Sequence, residues 1–304
     1  MSDKKSYAYF IGGIVICLLG SIFFSTKAIF VKLAYREAPV DAITLLALRM
    51  LFSLPFFVVS AFVSSQKSDN VRFTGKQWLG IALVGCLGYY VSSLLDFMGL
   101  KFISAGIERL VLFIYPTFVL LMSALVFRSK IIVQQWLALL VTYGGLLIAF
   151  WGEARVEDAS SDFYKGALLI FMCAITYAMY IVGSGRLIPS VGAAKFNSYA
   201  MSFAAAAVLL HFFVTSSNSL WDQDTSTYLY SFLMAILGTV IPSYLVTWGI
   251  KRVGSNNAAI VGSIGPVSTI LQAYFFLQEP IHVLQIAGTA LILAGVLMIS
   301  MKKK

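Results

Sequence analysis

The chain reads as an all-α membrane protein, ten transmembrane helices arranged as two inverted five-helix repeats, and three observations lead there. Composition is the first: 304 residues are 60% hydrophobic and 12% charged, with mean hydropathy +0.88, against roughly 25% charged in soluble domains. So little polar surface cannot shield the apolar side chains from water, and the chain needs lipid. The second is internal duplication. Gly99-Leu100-Lys101 through Pro116 superimposes on Gly249-Ile250-Lys251 through Pro266 at a fixed offset of 150 positions. The register holds without a gap from Ile131, Val133, Gln135, Gly145 and Leu147 onto Ile281, Val283, Gln285, Gly295 and Leu297, and upstream from Gly88, Ser93 and Leu95 onto Gly238, Ser243 and Leu245. Shared Gly, Pro, Lys and Gln in one unbroken register indicate repetition where shared apolar letters would not.

The third observation is charge placement. With ten alternating spans, Lys4, Lys5, Lys67, Arg72, Lys76, Arg128, Lys130, Arg186, Lys195, Lys251, Arg252 and Lys302 to Lys304 fall on one side. Arg36, Lys101, Arg155 and Lys165 take the other, with the acids Glu37, Asp41, Glu153, Glu157, Asp158, Asp162, Asp222, Asp224 and Glu279. The positive-inside rule then puts both termini in the cytoplasm, and one helix more or fewer would scramble the pattern. The net charge of +9 therefore follows topology and gives no reason to expect nucleic acid.

A helix needs about 20 apolar residues to cross the hydrocarbon layer. Charged or turn-forming residues divide the sequence into spans at 8–34, 40–63, 77–98, 103–127, 132–151, 164–184, 194–215, 228–248, 255–277 and 281–301. The first has a positive start but a long apolar run and no persuasive cleavage site, so it reads as a retained helix. Residues 1–151 form the first repeat, 152–163 an external connecting loop, and 164–304 the second repeat. An odd number of spans per repeat inverts the second copy, as alternating access requires. Trp78, Trp136 and Trp248 on the inner side, and Trp151 and Trp221 on the outer, sit near span ends where their rings favour the interface. Pro116 and Pro266 lie near the middle of helices four and nine and invite kinks. With Gly265, they are hinge candidates, weighed evenly against tight packing through the small residues of Gly262-Ser263-Ile264-Gly265-Pro266; Ile241-Pro242-Ser243 has the same ambiguity.

Ionisable groups inside spans are expensive and usually mark a pathway, a relay or an internal pair. Here they are Lys27, Arg49, Asp96, Glu108 and Arg109; at the 150 offset stand Tyr177, Tyr199, Val246, Ala258 and Ala259. The scaffold repeats and the charge does not. Lys27 and Arg49 lie roughly 10–14 Å below the external boundary, the others about 3–9 Å. Three roles remain open for the five: a substrate site in which the surplus cation receives a carboxylate or phosphate, internal pairing that fixes helix orientation, or a proton relay through Asp96 or Glu108. Tyr89 and Ser92 share a stripe with Asp96, and Tyr115 shares one with Leu112 and Glu108, which suits a hydrated cavity, although aromatic packing is the competing reading. Lys32, nearer a span end, can snorkel outward. His211 and His282 read as interfacial.

Other chemistries lack their residues. Cys17, Cys86 and Cys173 lie in three different spans without disulfide or metal spacing. No Gly-rich nucleotide loop occurs, no Ser, His and acid set can meet in one plane, and Glu157 with Asp158 reads as solvated loop. We expect no catalytic residues, metal or cofactor.

At Gly99-Leu100-Lys101-Phe102-Ile103-Ser104-Ala105, at Pro116, and at Glu279-Pro280 leading to Gln285, Gly288, Gly295 and Val296, the chain resembles the EamA-type branch of the drug/metabolite transporter superfamily. The resemblance implies a ten-helix basket of two inverted repeats, a central cavity lined by the first four helices of each, and a bacterial inner-membrane carrier, often an exporter, driven by an ion gradient. Ser129-Lys130 in place of the second repeat's Glu279-Pro280, and Leu19-Gly20-Ser21 where many relatives have Trp-Gly-Ser, depart from the pattern. The charges Asp96, Glu108 and Arg109 belong to no motif of the superfamily at large. The leading expectation is a secondary transporter, an exporter, of a small polar or amino-acid-like metabolite. The alternatives are a carrier of a lipid-linked or nucleotide-linked substrate and a non-transporting membrane subunit or sensor. Partners are a small-molecule substrate and the bilayer; a homodimer stays open.

Overall fold

The computed structural model describes all residues except 1–2, 67–71, 128–131, 155–160, 263, 282 and 301–304. His282, Glu157 and Asp158 lie outside the described residues, as do Lys67, Arg128, Ser129, Lys130, Arg155, Ser263 and Lys302 to Lys304. Among the described residues the chain is helical, without strands. It runs through α1 (Asp3–Glu37), α2 (Ala42–Ser65), α3 (Gly75–Gly99), α4 in two pieces (Ala105–Leu112 and Tyr115–Phe127), α5 (Val133–Ala154), α6 (Ser161–Val191) and α7 (Ala193–Thr215). Helical hydrogen bonding then continues over Thr225–Val261, but Gly254 at φ 80° breaks the path, so we divide this stretch into α8 (225–253) and α9 (255–277). The last element is α10 (Val283–Ser300). Among the described residues seven helices are long and apolar enough to cross a membrane, Thr225–Val261 among them; Val133–Ile148, Ile264–Leu277 and Val283–Gly295 are shorter apolar helices. The protein is a multi-pass membrane protein. Large apolar side chains such as Phe62, Leu140, Phe213 and Phe275 are exposed, as a lipid-facing surface requires.

Helix ends differ from the hydropathy boundaries for a physical reason. Hydropathy marks where the hydrocarbon layer ends, whereas the backbone keeps its hydrogen bonds into the polar zone. So α1 extends to Glu37 rather than 34, and α6 spans Ser161–Val191 rather than 164–184. Pro116 and Pro266 also act differently from mid-helix kinks. Each stands in the first turn of a new helical piece, after breaks at Phe113 and Gly262 respectively, where a missing N–H costs nothing.

Two further breaks in α-geometry recur 150 positions apart. π-Helical turns occupy Cys86–Val91 in α3 and Ile236–Val240 in α8. Packing follows the same offset. α1 lies along α8, α2 along α7, α3 along α6 and α5 along α10. A Cβ on Gly145 would come 2.4 Å from the Gly288 carbonyl oxygen, and one on Gly295 would come 2.8 Å from that of Ala138; Ala138 and Gly288 are themselves 150 apart. Only hydrogen side chains permit these backbone approaches.

The two ends of the bundle are differently charged. At one, Arg252 stacks on Tyr9 and Lys195 on Phe73. At the other, Asp41 caps α2 through the Thr44 amide and accepts from Asn218, and Glu37 accepts from the Tyr230 hydroxyl at 2.6 Å.

Candidate functional site

A chamber of about 60 Å³ lies where α1, α3, both pieces of α4, α6 and α9 converge. That admits a few waters and is well below the roughly 300–1,000 Å³ of an occupied ligand pocket. Its walls include Ser21, Phe24 and Lys27 from α1, Tyr89, Ser92 and Ser93 from α3, and Arg109, Leu112 and Tyr115 from α4. Tyr177 faces it from α6, with Gly262, Gly265 and Pro266 from α9. Lys27 and Tyr177 occupy positions 150 apart, as do Leu112 with Gly262 and Tyr115 with Gly265.

Its charge is layered. Lys27 Nζ meets Asp96 Oδ2 at 2.8 Å, and Arg109 Nε lies 3.5 Å from Glu108 Oε2. Both carboxylates are fully buried, while the Lys27 and Arg109 side chains keep 12% and 10% of their surface accessible. The cations thus form the wall and the carboxylates stand behind it. Arg109 also donates from Nη2 to the Phe24 carbonyl at 3.3 Å, which fixes its guanidinium against α1. A wall of this kind attracts an anion. Bare cations in an apolar surround would cost several kcal/mol each, and the carboxylates offset that while remaining out of the ligand's reach.

Arg49 is fully buried and does not line the chamber. Its guanidinium lies over the Phe97 ring at 5.4 Å, and Nε donates to Thr239 Oγ1 at 2.8 Å. The Thr239 hydroxyl in turn donates to the Met234 carbonyl at 2.8 Å, just ahead of the π-turn of α8. Arg49 therefore ties α2 to that turn, and its Nη1 has no hydrogen-bond partner.

The expected stripes are only partly preserved. Tyr89 and Ser92 face the chamber, while Asp96, one regular helical turn beyond Ser92, lies behind Lys27, whose ammonium it holds. On α4, Leu112 and Tyr115 face the chamber from either side of the helix break, while Glu108, fully buried, stands behind Arg109. Tyr89 shares a 3.2 Å hydrogen bond with Tyr180, Ser92 approaches Cys173 Sγ at 3.3 Å, and Tyr115 donates to the Ala259 carbonyl at 2.9 Å. Lys32 does not reach outward: its Nζ donates to the Leu100 and Ile103 carbonyls at 3.4 and 3.1 Å, oxygens freed where α3 ends. His211 accepts or donates at Nδ1 with Tyr90 at 3.0 Å.

The EamA-like transporter family matches residues 11–151 and again 164–301. The chain belongs to that family. Among similar EamA-like proteins, the uncharacterized transporter YcbK of Bacillus subtilis (strain 168) is 32% identical over 91% of this chain and 88% of its own length. The uncharacterized inner membrane transporter YicL of Salmonella typhimurium is 21% identical over 96% of both chains. A solved crystal structure superposes with TM-score 0.73 over 97% of this chain and 98% of its own at 18% identity. The family makes the protein a transporter of the drug/metabolite superfamily and not an enzyme. As an EamA-like chamber this one has walls that residue-by-residue reading missed: Ser21, Phe24, Ser93, Phe113, Cys173 and Tyr177. The signal for Tyr177 was available, since it is the 150-offset partner of Lys27.

Proposed function

We propose that this EamA-like protein is a secondary carrier of a small polar metabolite bearing a negative group, an exporter that alternates around the chamber between two inverted five-helix repeats, residues 1–151 and 164–304. Lys27 and Arg109 bind the anionic group, with Tyr89, Ser92 and Tyr115 offering hydroxyls. Arg49 holds the second-repeat turn against the first. Asp96 and Glu108, the two fully buried carboxyls behind the wall, are the groups whose proton exchange couples the cycle. The breaks before Pro116 and Pro266 let the α4 and α9 pieces move. Both termini face the cytoplasm of a bacterium, consistent with the charge asymmetry and with the inner-membrane relative.

One observation carries the reading: two cations line the chamber while their counter-charges are withdrawn behind them. Pairings that recur 150 positions apart support the inverted repeats. In proteoliposomes, Lys27→Ala and Arg109→Ala abolish transport while the protein remains folded in the membrane. Unchanged uptake in both variants rejects the site.

A further inference from the structure

A second concavity opens at the end of the bundle where α1 finishes. It encloses about 590 Å³ between the end of α1, the α3–α4 connection and the end of α9, lined by Lys32, Tyr35, Arg36, Lys101, Leu277 and Glu279 among others. We propose that this cleft is an anion-binding vestibule, a second site that takes a phosphate or carboxylate group on Arg36 and Lys101; its service to the chamber rests on the transport reading above.

Charge is the first argument. Few cations occur at this end of the sequence pattern, and three of them converge on one cleft opposite the single carboxylate of Glu279. The other nearby acids are engaged elsewhere: Glu37 accepts from Tyr230, and Asp41 from Thr44 and Asn218. Among the described residues neither Arg36 nor Lys101 stands in a salt bridge, and both are exposed. A cationic concavity beside apolar walls concentrates anions.

Rigidity is the second. The Tyr35 hydroxyl donates to the Phe97 carbonyl at 2.9 Å, and the Lys101 ammonium lies 5.4 Å from the centre of the Tyr35 ring. Lys32 fastens the Leu100 and Ile103 carbonyls. The floor is thus fixed before any ligand arrives, which lowers the ordering cost of binding. Space is the third. Unlike the chamber, this volume lies within the range of small-molecule sites.

Position makes it a vestibule. Its lining residues Leu100 and Lys101 follow within five positions of Asp96, whose carboxylate holds Lys27. Along α1, Lys27 in the chamber wall and Lys32 in the cleft are five residues, about 7.5 Å, apart. An anion released by Lys27 meets the next cations at Lys32, Arg36 and Lys101.

The anion has two sources with one chemistry, a soluble metabolite or a lipid headgroup, and the test separates them. Full-length protein in phosphatidylcholine nanodiscs is titrated with inorganic pyrophosphate by calorimetry, and binding weakens with added salt. The double variant Arg36→Gln/Lys101→Gln loses at least about tenfold in affinity, having lost two charge-assisted contacts, whereas Lys251→Gln, an exposed cation that lines neither site, binds as the native protein does. Repeating the titration in phosphatidylglycerol nanodiscs distinguishes the sources. Persisting pyrophosphate affinity assigns the cleft to soluble anions, and abolished affinity, with lipid retained on native protein but not on the double variant by native mass spectrometry, assigns it to a headgroup. Equal pyrophosphate affinity and equal lipid retention in native and double-variant protein overturn the proposal. So does loss of binding in Lys27→Ala alone, which places the anion in the chamber. Normal transport by Lys27→Ala with intact cleft binding sinks only the chamber reading.

Discussion

Positions 150 apart in this chain share a scaffold and divide the chemistry. Lys27, Asp96, Glu108 and Arg109 face Tyr177, Val246, Ala258 and Ala259 at the same offset, and Lys27 and Tyr177 look into one chamber from α1 and α6. The contrast teaches that packing positions and functional positions are selected separately. Glycines, prolines and two of the π-turns recur because two helix sets must pass each other closely; the charges do not recur, because close packing does not call for them. Carrying ionisable groups in one half alone also lessens the insertion penalty, which for each charge at a span centre is roughly 2.5–3.5 kcal/mol.

The comparison breaks most sharply at the buried ion pair. Asp96→Ala leaves Lys27 without its partner and costs about 3–5 kcal/mol, whereas Val246→Ala at the matching position removes only methyl groups, about 1–2 kcal/mol. Equilibrium unfolding in mixed micelles measures both, and Lys27→Met in the Asp96→Ala background recovers part of the loss. Equal costs at the two positions would dissolve the division. A smaller contrast lies in the π-turns, where Thr239 and Tyr89 stand 150 apart. Thr239→Val removes the acceptor of the Arg49 guanidinium, about 1.5–3 kcal/mol for a bond to a charged group. Tyr89→Phe removes a neutral bond to Tyr180, about 0.5–1.5 kcal/mol. The reverse ranking in the same assay would mean that Arg49 is not tethered there.

The smallest effect is at the helix starts. Asp41 caps α2, while α7 begins at Gly192 without a side-chain cap. Asp41→Ala therefore costs about 1 kcal/mol. Partial burial would raise the Asp41 carboxyl, but hydrogen bonds from Thr44, Asn218 and the Ile43 amide outweigh it and hold the group below its ordinary value. A depressed folded value contributes stability above the unfolded pKa, about 3.9, and loses it as pH falls through the folded one. The difference in melting temperature between native protein and Asp41→Ala is thus full at neutral pH and shrinks below about pH 4; a difference that grows on acidification contradicts the cap.

Much of this was legible in the sequence. Hydropathy located the apolar segments because lipid imposes the same length and composition on any spanning helix, and the duplication was visible because glycine and proline have few substitutes at close approaches. The five charges stood out against apolar surroundings, yet their grouping did not. Face arithmetic names a shared stripe but not the neighbour each residue meets, and it failed at Asp96 and Glu108, which stand behind the cations Lys27 and Arg109. The hold of Arg49 on Thr239 is a tertiary contact across 190 positions and leaves no local pattern. Lys32 was misjudged because its acceptors, the carbonyls at the end of α3, belong to the backbone and have no letter of their own.

The π-turns also bear on how this sequence tolerates insertion and deletion. Each accommodates one surplus residue, so everything downstream is already out of phase with uniform winding by about 100°. Removing one residue from 86–91 resets that phase and swings the carboxylate at position 96 off its ammonium, although no contact residue has been altered. In these two segments, unlike in an ordinary loop, chain length is itself a specified quantity.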